Sequence, residues 1–121
     1  METLTFNRAE MEKEIRKLKA IGDAVCSMSD ADIGYDNSIR HGIKEILLNT
    51  ASDIEKTDDP EDIIRQLNKA KVVAYLLNVD CESEEEGTNE MSVTRWGLKN
   101  VVERTVSRIE ELITGKSEMG V

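Results

Sequence analysis

Apolar residues recur every three or four positions over four separate stretches of the chain, the spacing of α-helices that each bury one face. The first set is Met11, Ile15, Leu18, Ile21 and Val25, with Lys13, Arg16, Lys17 and Lys19 on the remaining faces. Asn7 and Glu10 have the spacing of an N-cap and its reciprocal partner. Phe6 and Met11 occupy the two positions of a hydrophobic staple, so a helix is predicted over 8–28. "SMSDADIGYDNS" follows, rich in side chains that bond their own backbone and favour turns.

A second helix is predicted over 36–56, with Ile39, Ile43, Ile46, Leu47 and Ile54 in one stripe and Leu48 beside it. Gly42 interrupts it at a cost of about 1 kcal/mol relative to alanine, which fits equally a backbone passing close by and a tolerated accident. "TDDPED" is the sharpest punctuation in the chain. Asp59 caps, Pro60 takes the first helical position where no hydrogen bond is lost, and Glu61 and Asp62 complement the positive helix end. So short a break folds the second and third helices into an antiparallel hairpin.

The third helix, predicted over 60–79, opens amphipathic through Ile63, Ile64, Leu67 and Ala70 and then becomes apolar all round in "VVAYLL". That half should be covered on every side, with Tyr75 in the core. A fourth helix over 92–114 carries Leu98, Val101, Val102, Val106, Ile109, Leu112 and Ile113 on one broad stripe, closed by Gly115 as the residue after its C-cap. Residues 116–121 read as a frayed tail. Together these features predict a single all-α domain over 1–121: a four-helix bundle, antiparallel, with an acidic linker at 80–91.

Composition narrows the function classes. Net charge is −9 and charged residues make up 34% of the 121 positions, so a nucleic-acid backbone would be repelled by the mean field and direct nucleic-acid binding is not expected. No stretch approaches the roughly 18 apolar residues of a membrane span, and the first residues lack a basic region followed by an apolar run, so a cytoplasmic location is expected. Cys26 and Cys81 are read as reduced thiols, since a chain of this length holds together by core packing.

Candidate chemistry centres on "VDCESEEEGTNEMS", residues 79–92, where Asp80, Glu82, Glu84, Glu85 and Glu86 crowd together. A calcium loop starting at Asp80 would need glycine at its sixth position and glutamate at its twelfth, but holds Glu85 and Met91 there. Glu82 and Glu85 have the spacing of half a magnesium site in all-α nucleotide pyrophosphohydrolases, without a matching acidic pair on another helix. His41 has Glu45 one turn later, within reach to orient the imidazole, and no second histidine supports a di-iron bundle. Carboxylates around Cys81 disfavour its thiolate, and Cys26 reads as a small hydrophobe. "GKS" at 115–117 lacks the remainder of a phosphate-binding loop. Trp96, between Arg95 and Lys99, either packs over the bundle end with its N–H in water or serves as a docking anchor; packing is favoured.

No catalytic residue, metal ligand or cofactor site is expected. The expected function is docking on a protein partner or on a second copy, as a homodimer or as an adaptor or regulatory subunit, with Asp80, Glu82, Glu84, Glu85, Glu86, Arg95, Trp96 and Lys99 as contacts. Two alternatives stand beside it: an acidic inhibitor, antitoxin or immunity-type protein facing a basic surface, and a metal-dependent hydrolase or small-molecule-binding bundle.

Overall fold

The computed structural model describes residues 8–82 and 90–114, with the side chains of 79–82 and 90–92 outside the description. It is all-helical, with five helices among the described residues: α1 (Arg8–Ser27), α2 (Asp30–Ile33), α3 (Asn37–Glu55), α4 (Pro60–Glu82) and α5 (Glu90–Thr114). No described residue lies in a strand. None of these helices is long and apolar enough to cross a membrane.

Local chemistry sets the helix ends. Asp36 takes the N-cap of α3, its carboxylate accepting from the Ile39 amide at 3.0 Å. Asp59 accepts from the Glu61 amide at 3.2 Å and leads into Pro60, as its spacing predicts. The expected turn after α1 instead winds into the four-residue α2. There the Ser29 hydroxyl accepts from the Asp32 amide at 3.2 Å, and Gly34 adopts φ 82°, a left-handed conformation that closes the turn through a 2.7 Å bond to the Asp30 carbonyl. The residues that favour a turn are therefore the same ones that cap a single helical turn.

Boundaries elsewhere need correction. The third predicted helix runs one turn further, to Glu82, and the last begins two residues earlier, at Glu90, so residues 80–82 and 90–91 of the predicted acidic linker are helical. Phe6, Asn7, Gly115 and the predicted tail lie outside the described residues.

α1 packs on α3, α3 on α4, α4 on α5 and α5 back on α1, while α2 rests against α5. Salt bridges mark the register between neighbours: Lys19–Glu55 at 3.0 Å and Lys44–Asp23 at 3.7 Å between α1 and α3, Lys69–Asp53 at 3.1 Å between α3 and α4, and Lys71–Glu110 at 2.8 Å between α4 and α5. Arg108 and Glu10, 3.8 Å apart, tie α5 to α1. Each such exposed pair contributes at most about 1 kcal/mol, so cohesion comes from the core. Leu18, Leu47, Leu67, Leu77 and Ile109 are fully buried there.

The first helix buries the five residues its periodicity marks. In α3, Ile39 and Ile46 lie at the exposed edge of the stripe, while Arg40, Thr50 and Ala51 take interior positions. Thr50 and Thr105 are tolerated inside because each hydroxyl donates to a carbonyl of its own helix, Ile46 at 2.7 Å and Val101 at 2.8 Å.

Of the two readings of Gly42, the close backbone approach is not found there, and it occurs at Gly22 instead. A β-carbon on Gly22 would lie 3.4 Å from both Cα and the carbonyl oxygen of Lys44 and 3.5 Å from Cβ of Leu47, so α1 and α3 meet there without room for a larger side chain. Nothing lies within 4 Å of the corresponding point on Gly42. Chemical denaturation should separate the two: Gly42→Ala raises the unfolding free energy by about 1 kcal/mol through helix propensity, and Gly22→Leu lowers it by about 2 kcal/mol through overpacking.

Candidate functional site

Among the described residues nominated as contacts, Arg95 and Trp96 do not share one surface. Arg95 is only 4% exposed and turns inward, where Nη1 donates to the Ile33 carbonyl at 2.7 Å and the guanidinium lies 5.4 Å from the Tyr35 ring centroid. Its carbonyl partner ends α2 and its aromatic partner follows one residue after Gly34, so Arg95 fastens the α1–α3 connection to the start of α5. It is a structural residue, which overturns its expected place on a docking surface. No signal at residue 95 itself distinguishes an inward arginine from a surface one; the decisive neighbours lie some sixty positions away in the chain.

Trp96 points the other way and is 54% exposed. Lys99 Nζ stands 5.9 Å from the Trp96 ring centroid and 3.6 Å from a Glu103 carboxylate oxygen, so the ring carries a cation on one side and leaves much of its area to solvent. Asp80 and Glu82 belong to the last turn of α4 rather than to a linker, with their side chains outside the description. Glu84, Glu85 and Glu86 lie outside the described residues.

α4 departs furthest from expectation. Of the run "VVAYLL", Val73, Ala74 and Leu77 are buried, whereas Val72 is 61% exposed, Tyr75 70% and Leu76 39%. Val72, Tyr75 and Leu76 fall at helical spacing on one stripe, opposite the core stripe of Leu67, Ala70 and Ala74. Tyr75 is thus a surface residue, correcting its expected burial. The sequence does hold the signal: two interleaved apolar stripes half a turn apart, flanked by Lys69 and Lys71, which reach sideways to α3 and α5 and so mark the face between them as outward.

His41 does not pair with Glu45. Its ring nitrogens lie 3.7 and 3.8 Å from Cys26 Sγ, across the α1–α3 seam. The sulfur sits near the C-terminal end of α1. Two soft donors are in reach of each other, and among the described residues no group of three or more His, Cys, Asp or Glu side chains converges to hold a metal ion.

Two clefts flank α5. One, about 390 Å³, lies between α4 and α5 and is lined by Lys71, Ala74, Glu103, Val106, Ser107 and Glu110. The other, about 340 Å³, lies between α1 and α5 and contains Glu14, Lys17, Arg104, Thr105 and Arg108. Glu14 is 3% exposed and meets Lys17 Nζ at 3.2 Å, while Arg108 is shared between Glu10 and Glu111. The first cleft sets Lys71 against Glu103 and Glu110, the second sets Lys17, Arg104 and Arg108 against Glu14, and the Thr105 hydroxyl donates to the Val101 carbonyl.

Comparison with known protein families, with curated proteins and with solved structures finds no match to this chain.

Proposed function

We propose that this protein works without catalysis, as a cytoplasmic docking protein whose four long helices form an antiparallel bundle and whose partner seats on the outer face of α4. One observation carries the reading: Val72, Tyr75 and Leu76 form an apolar stripe directed away from the core, in a chain where 34% of residues are charged. Tyrosine supplies a large apolar surface with a polar tip at low entropic cost, the chemistry of an interface anchor. An adaptor or regulatory subunit fits this arrangement.

The test uses the full chain as bait in its native host lysate at physiological salt, beside Tyr75→Glu and Val72→Lys variants whose helicity by circular dichroism matches the wild type. A protein retained by the wild type, the chain itself included, should be reduced at least tenfold on both variants, which is about 1.4 kcal/mol of binding. Equal capture by all three places the partner elsewhere and overturns the reading.

A further inference from the structure

Resting on that docking reading, we infer that the occupant of the α4 face is a second copy of the chain, crossing antiparallel to the first near Tyr75. The register of the neighbouring helices extends the apolar stripe. Lys69 is level with Asp53 across the α3–α4 seam. Seven residues on along α4 and seven back along the antiparallel α3 bring Leu76 level with Ile46, which is likewise half-exposed at 37%. The face is therefore broader than one helix.

Charge selects the occupant. The stripe is flanked by Lys69 paired with Asp53 and Lys71 paired with Glu110, so its rim is balanced although the whole chain carries −9. A strongly basic partner gains nothing at a balanced rim, whereas a second copy, itself at −9, meets least repulsion there. Past the carboxylates Glu61 and Asp62 of its first turn, α4 also runs from basic, at Arg65, Lys69 and Lys71, to acidic, at Asp80 and Glu82. A two-fold crossing centred on Tyr75 sets Arg65, Lys69 and Lys71 of one helix, each already paired within its own chain, level with the Asp80 and Glu82 positions of the other, so the two copies meet without a row of like charges.

The same crossing accounts for two further exposed residues. Lys71 and Glu110 fix the α4–α5 register. Trp96, fourteen residues before Glu110, lies on the α4 side of its helix, and Ile64, seven before Lys71, lies on the α5 side of its own. In the two-fold pair, Trp96 of one copy comes level with Ile64 of the other, covering two side chains that are 54% and 37% exposed in the single chain.

Trp96 is the sole tryptophan, so its emission reports on this contact. Sedimentation equilibrium and fluorescence are run together on the full chain from about 1 to 200 µM, where a dimer of modest affinity dissociates. The expected result is a mass rising toward twice that of the monomer, with Trp96 emission moving to shorter wavelength along the same curve. Tyr75→Glu should stay monomeric at unchanged helicity. Should that variant fail to fold, Tyr75→Cys in a Cys26→Ser, Cys81→Ser background gives a second reading: oxidised glutathione should cross-link it to a dimer, and should not cross-link Ala20→Cys on exposed α1. A chain monomeric over the whole range, a Tyr75→Glu variant that dimerises like the wild type, or equal cross-linking at both positions overturns the inference. A monomer that still captures a different protein through Tyr75 overturns the second copy alone and leaves the docking reading standing.

Discussion

Arg40→Ala lowers the unfolding free energy by about 3 kcal/mol, among the largest effects expected from removing a single buried polar side chain in this chain. Arg40 is 9% exposed, and every arm of its guanidinium is used. Nε donates to the Tyr35 carbonyl at 3.2 Å, Nη1 to the carbonyls of Cys26 at 3.0 Å and Met28 at 2.6 Å, and Nη2 to the Asp30 carboxylate. These acceptors span the end of α1, the start of α2 and the residue before the cap of α3. Alanine leaves the carbonyls at the α1 terminus without their donor and removes a cation from the negative end of that helix. Lysine keeps the charge but cannot reach so many acceptors at once, so Arg40→Lys should recover less than half of the loss. Urea denaturation followed by circular dichroism checks both, with the midpoint moving and the slope unchanged. A loss under about 1 kcal/mol for Arg40→Ala would mean that the turn is held by its caps alone.

The second large effect sets two nearby positions of α4 against each other. Leu77→Ala should cost about 3 kcal/mol, because a fully buried leucine loses both its transfer free energy and the packing around the space left behind. Tyr75→Ala, two residues earlier in the same apolar run, should change monomer stability by about 0.5 kcal/mol or less, since 70% of that residue already faces solvent. Both belong at the lowest concentration the spectrometer allows, so that association does not enter. Equal costs would show that Tyr75 is buried in solution and would remove the outward apolar face on which the docking reading stands.

Much of the helical framework can be read directly from residue spacing. Met11, Ile15, Leu18, Ile21 and Val25 are buried as their period requires, and Asp59–Pro60 starts a helix where cap and ring chemistry place it. Local rules succeed there because the cause lies within one or two turns of the effect. They fail where a distant element decides. A leading apolar run tells which residues avoid water on average, but only the positions of α3 and α5 beside α4 determine that Val73 turns in and Tyr75 out. Gly22 and Gly42 look alike in sequence, and only the path of α3 past α1 makes one of them a close helix contact. The candidate contacts divide for the same reason: Trp96 stays at the surface while its neighbour Arg95 is drawn inside by Ile33 and Tyr35. An acidic cluster stands out in composition, whereas an outward apolar stripe hides among core residues of the same type.

The bond from Arg95 to the Ile33 carbonyl joins positions 62 apart in the chain, and Arg108 reaches back to Glu10 across still more of it. α5 is thereby held by α1 and α2 as well as by α4 just before it. Because the entropy of closing such a span grows only logarithmically with its length, the long detour adds little to the total cost of folding, yet it cannot be recovered until the last segment arrives. An emerging chain therefore cannot form these contacts until α5 has followed α1 and α2.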